Sequence, residues 1–403
     1  GRAGFEQRLH RLRQTVSATS EAAQSTARIV EDVRAHGDEA VVRYTALVRH
    51  RFAVGLRTFI KDRTLYRSES ASRVFWDRDR GTIIQALAAR EQTPTGVEPP
   101  DIGDMMDGFF DPAGDRLLFG MSKSEDLAEP GGDDFWFEHP LAPEATDAYR
   151  FATGDTLTLA LPDGRSVQAV ELRALPRTAD VHRISGSLWI EPGSGALVRA
   201  AYRLADRFDA VRDIPDLREE EERGEFDMVP GLFKPWTFDL SLIVVDYGLW
   251  DFRVWLPRSL RVEGVATAGV LKAPADLEVA YRIESVVTEE DLAREEAGTE
   301  PAGVREERRF ESREEAMRFM ASLLESEEGV AFELDPGWTR RNDREIRYLV
   351  PVDRQWLHES PYLPPPIWED APGFPSAEEI ESAEELLADL PQAAPARTHW
   401  AAN

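Results

Sequence analysis

Residues 186–204 read GSLWIEPGSGALVRAAYRL, and this pattern is typical of two strands joined by a tight turn. Leu188 and Ile190 share a face of the first strand, and Val198 and Tyr202 share a face of the second. Arg199 and Arg203 lie on the opposite face of the second strand, and two glycines lie in the turn. The stretch predicts an antiparallel hairpin with one apolar face and one solvated face.

The same alternation extends along the chain in both directions. Arg199 and Arg203, and further along Glu278 and Arg282, alternate with apolar residues, which predicts a cross-strand ladder of charges on the solvated face. Runs rich in β-branched and aromatic residues predict strands at 50–59, 63–77, 81–92, 166–175, 182–191, 197–204, 236–286 and 330–351. We therefore predict a curved antiparallel β-sheet with a half-barrel-like meander.

Helical spacing of apolar residues is seen at the start of the chain. Ile29, Val33, Val41 and Leu47 recur at this spacing within residues 5–49, which predicts N-terminal helices. Residues 287–330 predict an acidic C-terminal helical segment, and 217–226 are predicted to be solvated and mobile. The expected fold class is α+β.

Changes in composition divide the chain into five predicted regions. They are an N-terminal helical region (1–49), a β-rich region with a loop rich in Pro, Gly and Asp (50–148), the half-barrel-like sheet (149–290), an acidic helical and Pro-rich region (291–390) and a disordered tail (391–403).

Charge and composition exclude several classes of function. The formal net charge of −27 disfavours binding to nucleic acid or to anionic lipid surfaces. The chain contains no cysteine, which excludes disulfides and thiolate metal sites and is equally compatible with a cytoplasmic and a periplasmic location. No apolar run approaches the ~18 residues of a membrane-spanning helix, so none is predicted.

Catalytic motifs are absent from the sequence. It has no GxSxG, no P-loop and no paired histidines on a zinc-binding helix. Glu138-His139-Pro140 is the best local candidate for acid–base chemistry, and a hydrolase using His139 with carboxylates is the alternative hypothesis. The aspartates between 101 and 115 do not match a calcium loop. The prediction is a protein that is not an enzyme and that has no metal and no cofactor.

The opening hairpin resembles those of the lipoprotein-sorting (LolA- and LolB-like) proteins, and YGLWDFRVWLPRSLRVEG at 247–264 is similar to a strand pair of the same proteins. EHPLAP at 138–143 and VPVDRQWLHESPYLPPPIWED at 350–370 resemble segments of large uncharacterised Gram-negative proteins, in which such a region precedes a transmembrane β-barrel. The resemblance implies a curved sheet whose concave face holds acyl chains or a partner segment.

From this resemblance we expect a non-enzymatic cell-envelope module, periplasmic or associated with the outer membrane of a Gram-negative bacterium. It would be a scaffold, a binder of lipid or lipoprotein-like hydrophobic cargo, or the soluble part of an outer-membrane protein with a β-barrel as its partner. The apolar face is either core or cargo pocket. Its hypothetical cargo-binding residues are Leu188, Ile190, Val198, Tyr202, Tyr247, Trp255, Val279 and Tyr281.

Overall fold

The computed structural model describes residues 28–29, 41–57, 62–78, 81–92, 138, 140–141, 147–160, 166–192, 194–250, 254–296, 330–341 and 344–363. Within these ranges thirteen strands form one large, curved, unclosed sheet. The strands are β1 (Val41–Arg57), β2 (Asp62–Asp77), β3 (Gly81–Gln92), β4 (Tyr149–Ala160), β5 (Ser166–Pro176), β6 (Ile184–Ile190), β7 (Leu197–Leu204), β8 (Phe208–Asp209), β9 (Trp236–Trp250), β10 (Val254–Ala268), β11 (Leu271–Thr288), β12 (Phe332–Arg341) and β13 (Arg344–Pro351).

Neighbouring strands of the sheet come mostly from hairpins, because short turns return the chain beside the strand that it has just left. The spatial order is β12-β13-β3-β2-β1-β11-β10-β9-β7-β6-β5-β4, with β8 paired to β9. The β13–β3 pair is parallel, and the other strand pairs are antiparallel. The long antiparallel pairing of β1 with β11 therefore joins the first hairpins to the central meander.

Helices are few and short in the described part of the chain. They are α1 (Ala210–Asp213), α2 (Pro215–Glu222), α3 (Glu289–Glu296), α4 (Trp356–Glu359) and a 3₁₀ turn at Gly231–Phe233. The side chain of Asp209 caps α1 by accepting hydrogen bonds from the backbone N–H groups of Val211 and Arg212.

The main hydrophobic core lies on one face of the sheet and extends from Ile84 on β3 to Tyr149 on β4. A smaller cluster on β1, β2 and β3 contains Leu47, Ala71 and Leu87, and Phe332 and Trp356 pack over it. Apolar residues therefore lie on both faces of the sheet at its β1–β3 end.

A row of alternating charges crosses five adjacent strands on the face opposite the main core. Arg90, Glu69, Arg51, Glu278 and Arg261 follow one another as direct cross-strand neighbours from β3 to β10. Nε of Arg90 lies 3.1 Å from one oxygen of Glu69, and Nε of Arg51 lies 3.4 Å from the other. Glu278 is the residue of the predicted ladder that belongs to this row. The row favours the observed register, because opposite charges face each other across the strands.

The strand predictions are confirmed. The three strands expected between 50 and 92, the three between 166 and 204, the meander in 236–286 and the pair in 330–351 are all present. The domain boundaries stay a prediction.

The predicted N-terminal helices are not supported: Ile29 is helical, but residues 41–49 belong to β1. Val41 and Leu47 fit a helical period, yet this segment is rich in β-branched and aromatic residues and pairs with β2 and β11 on its two sides. Tertiary pairing therefore overrides the local pattern. The other residues before 41 lie outside the described residues.

The acidic C-terminal helical segment is likewise not supported as a whole. Helix is described over Glu289–Glu296, and residues 297–329 and 364–403 lie outside the described residues, including the predicted tail. Residues 217–222 of the segment predicted to be solvated and mobile belong to α2, where Pro215 at the first turn favours helix initiation.

Candidate functional site

The eight residues predicted to bind cargo are brought together by the fold. Seven of them are at most 7 % exposed and belong to the main core cluster, and Tyr281 is half-buried against it. Leu188 and Ile190 are among the most deeply buried side chains of the described chain. The predicted face thus exists, and in this conformation it is packed.

Hydrogen bonds reinforce this packing next to Tyr202. The hydroxyl of Tyr149 donates to the backbone oxygen of Glu138 at 2.7 Å and accepts from the backbone N–H of Ile184 at 3.2 Å. Burial raises the pKa of Tyr149 to about 12 and also raises that of Tyr202. Both phenols therefore stay neutral and behave as core side chains.

His50 is a polar exception on the apolar face. It lies on β1 opposite Val279, and its Nδ1 is 3.4 Å from the hydroxyl of Ser70. Burial lowers its pKa to about 4, because the apolar surroundings disfavour the charged ring. The imidazole is therefore neutral near pH 7.

An open apolar groove lies where the central strands end, continuous with the main core face. Its floor consists of small side chains, because Ala266 on β10 is paired with Ala273 on β11 and Ala268 lies two residues further along. The cavity volume is about 310 Å³. Three alanines in adjacent rows leave the space that larger side chains fill elsewhere on this face.

Aromatic and aliphatic side chains form the walls of this groove. Phe238 on β9 is the cross-strand neighbour of both Ala266 and Phe208, and Trp236 is the neighbour of Ala268. Leu56 and Leu271 line the groove on the side of β1 and β11. Phe238 also packs against the main core, so the groove floor and the core form one apolar surface.

One edge of the groove carries a cationic side chain. Lys272 lines the groove, and its cross-strand partner on β1 is Arg57. Lys272 gives this edge of the groove a positive charge, in a chain that is otherwise strongly acidic.

The sequence contains a signal for this groove, in GVATAGVLKA at 264–273. Alternate alanines in a strand pair indicate a shallow surface, but they become a groove only when Trp236 and Phe238 are placed beside them. In the sequence, Gly264 and Gly269 indicate bends or close backbone contacts in this region. In the structure, both glycines lie against neighbouring segments.

The acid–base candidate Glu138 is part of an ion pair. Its Oε2 accepts a hydrogen bond of 3.0 Å from Nε of Arg183, and its backbone N–H donates to the oxygen of His182 at 2.7 Å. His139 and the aspartates at 101–115 lie outside the described residues. Within the described ranges no three His, Asp or Glu residues are grouped as metal ligands would be.

In the part of the chain that the structure describes, no helix has both the length and the apolar character needed to cross a membrane.

Comparison with known proteins returns neither a matching family model nor a curated relative. Among solved structures, a LolA superfamily protein from Nitrosomonas europaea matches with 11 % identity and a TM-score of 0.21, covering 65 % of this chain and 94 % of its own. A putative outer membrane lipoprotein-sorting protein domain from Vibrio parahaemolyticus has 11 % identity and a TM-score of 0.20, covering 68 % and 98 %.

The complex of MucA and MucB from Pseudomonas aeruginosa also matches, with 11 % identity and a TM-score of 0.16, covering 66 % of this chain and 99 % of that chain. These matches include the superfamily that the hairpin sequence resembles. At such TM-scores and identities the similarity does not assign a function to this chain.

Proposed function

We propose that this chain is a non-enzymatic binding module of the cell envelope and that it holds an acyl chain in the apolar groove at the ends of β1, β9, β10 and β11. The observation that carries the proposal is the groove itself: a core face that is packed elsewhere opens at one end into about 310 Å³ of apolar space. Ligand sites of small molecules begin at about this volume.

The groove matches a lipid in its chemistry as well as in its volume. Trp236 and Phe238 offer flat apolar surfaces, and the alanine floor allows a chain to lie against the backbone. Lys272, which lines the groove, provides a positive charge for an anionic head group. The ligand class that follows is a fatty acid or a phospholipid-like acyl chain.

For the eight residues predicted from the sequence, the cargo role stays a prediction. Tyr202, Val198 and Leu188 are buried, so an acyl chain reaches them only by displacing the side chains that now cover them. Binding at the groove requires no such displacement.

The location in the envelope and a partnership with an outer-membrane β-barrel belong to the same proposal. They are supported by the hairpin sequence at 186–204 and by the absence of cysteine, which suits an oxidising compartment. The hydrolase alternative requires a reactive carboxylate near His139, and the carboxylate of Glu138 is already bound to Arg183.

The proposal is tested by titrating the protein with cis-parinaric acid, a fatty acid whose fluorescence rises in an apolar site. We expect saturable binding to the wild type and a loss of at least tenfold in affinity for the Ala266→Phe/Ala273→Phe variant, because two phenyl rings fill the floor. Ala280→Phe, at an exposed position of the same strand β11, is the matched control and should bind like the wild type.

A second comparison tests the head-group position. Lys272→Gln should weaken binding of the fatty acid several-fold and leave the affinity for its methyl ester unchanged. If the filled variant has the circular dichroism spectrum of the wild type and binds the probe equally well, the groove is not the binding site and the proposal is wrong.

A further inference from the structure

An exposed apolar surface lies on the connection between α2 and β9. Met228 is 80 % exposed and Leu232 is 56 % exposed, and they are separated by Val229, Pro230 and Gly231. We call Met228, Val229, Pro230 and Leu232 the apolar tip. Single exposed apolar residues are ordinary, but two large ones within five residues form a patch that needs an explanation.

The backbone of the apolar tip is held in place. The ring of Phe226, which is 4 % exposed, packs edge-on against Trp236 with centroids 5.0 Å apart. Within the tip, the N–H of Val229 donates to the oxygen of Phe226 at 3.0 Å, and that of Phe233 donates to Pro230 at 2.9 Å. These contacts present Met228 and Leu232 on a fixed scaffold.

The far end of the tip is attached to the β10–β11 turn. The N–H of Val270 donates to the oxygen of Leu232 at 3.0 Å, and the N–H of Gly269 donates to that of Pro235 at the same distance. A surface that is ordered before it binds loses less conformational entropy on binding. The tip thus has the property expected of a docking surface.

Acidic residues surround the tip on its α2 side. Residues 215–234 contain seven acidic and three basic side chains. Two of the basic residues already have acidic partners, since Arg223 lies 2.7 Å from Glu225 and Lys234 lies 3.6 Å from Glu221. We call the exposed acids of this segment the acidic collar: Glu219, Glu221, Glu222, Glu225 and Asp227.

We propose that the apolar tip and its acidic collar dock a basic amphipathic segment of a partner protein. Apolar side chains of the segment would contact Met228 and Leu232, and its Lys or Arg side chains would face the collar. A nucleic acid or an anionic lipid surface would be repelled by the collar, so charge complementarity favours a cationic protein.

The test is the binding, by fluorescence anisotropy, of a labelled synthetic helical peptide with leucines on one face and lysines on the other. The wild type should bind it, and the Met228→Ser/Leu232→Ser variant should lose at least tenfold in affinity at unchanged net charge. Leu175→Ser is the matched control, because Leu175 is 51 % exposed on β5, away from the tip. It should bind like the wild type.

The collar is tested by a second pair of variants. Glu222→Gln/Asp227→Asn should weaken peptide binding several-fold and reduce its dependence on salt, because charged contacts are screened by ions. Glu289→Gln/Glu290→Gln removes the same number of exposed charges on α3 and should have no such effect.

Three results would overturn the proposal. One is equal binding of the peptide by the Met228→Ser/Leu232→Ser variant, which would show that the overall charge of the chain holds it. Another is equal binding of a peptide in which glutamates replace the lysines. The third is binding to vesicles of zwitterionic phospholipid that depends on Met228 and Leu232, which would make the tip a membrane contact.

Discussion

The indole Nε1 of Trp255 donates a hydrogen bond of 3.1 Å to Oε2 of Glu191, and so joins β10 to the turn of the β6–β7 hairpin. The same carboxylate oxygen accepts a bond of 2.6 Å from the hydroxyl of Ser194 within that turn. The hairpin at 186–204 is therefore held both by its own backbone and by a strand two places away in the sheet.

This relationship predicts coupled effects on stability. Glu191→Ala should lower the free energy of unfolding by about 1–3 kcal/mol, because it leaves the N–H of a nearly buried indole without its acceptor. Trp255→Phe removes the donor, and the double variant should be more stable than the sum of the single effects predicts, by roughly 1 kcal/mol. Urea unfolding of the four proteins measures this coupling, and additive effects would show that the bond does not contribute.

The β10–β11 turn predicts a contrast between two glycines. Gly269 has a φ of +60°, and a Cβ there would lie 1.9 Å from the backbone oxygen of Leu232. Gly269→Ala should therefore destabilise the protein by at least about 1 kcal/mol. Gly231→Ala is the matched control on the facing segment, because a Cβ at this position meets no atom within 4 Å. Equal melting temperatures for the two variants would contradict this account of the turn.

The lowered pKa of His50 predicts that the folded protein loses stability in mild acid. Its pKa in the folded protein is about 4 against 6.5 for an ordinary histidine, so the unfolded chain binds more protons between these values. Stability should fall as pH decreases from 6.5 to 4, by on the order of 1–3 kcal/mol. His50→Gln should remove this part of the pH dependence in unfolding experiments, and an unchanged profile would show that His50 titrates normally.

The lowered pKa of Glu171 predicts a second loss of stability, in stronger acid. A hydrogen bond from Arg173 lowers the pKa of Glu171 from 4.5 to about 2, helped by the hydroxyl of Ser187 and the backbone N–H of Asp155, while burial opposes the shift. The stabilisation is present above pH 4.5 and is lost as the pH falls towards 2.

Glu171→Gln should therefore cost about 1 kcal/mol at pH 7 and have a smaller effect near pH 2. The measurement is urea unfolding at both pH values. If the variant is destabilised equally at both, the carboxylate charge has no role.

The parts of the fold that were predictable are those in which a single strand carries its own pattern. Leu188, Ile190, Val198 and Tyr202 alternate with polar residues, and this period alone identifies the strands and the buried face. Val41 and Leu47 were misplaced, because the strand that contains them is defined by its partners β2 and β11, which are distant in sequence.

The alanine pattern at 264–273 was not sufficient to predict the groove, for a related reason. Ala266, Ala268 and Ala273 indicate only a shallow surface in the linear sequence, and they form a floor only when β9, β10 and β11 are aligned in register. The cargo prediction instead selected residues of the apolar strand face, such as Val198 and Tyr202, and these side chains are buried in the core.

The most direct test of the central claim is to irradiate the wild-type protein with a fatty acid that carries a photoreactive group on its chain, and to locate the label by peptide mass spectrometry. The account predicts saturable labelling within Trp236–Phe238 and residues 266–273, abolished by Ala266→Phe/Ala273→Phe. Labelling at Leu188, Val198 or Tyr202 with none in the groove would contradict it, and would show that the packed face opens to take the ligand.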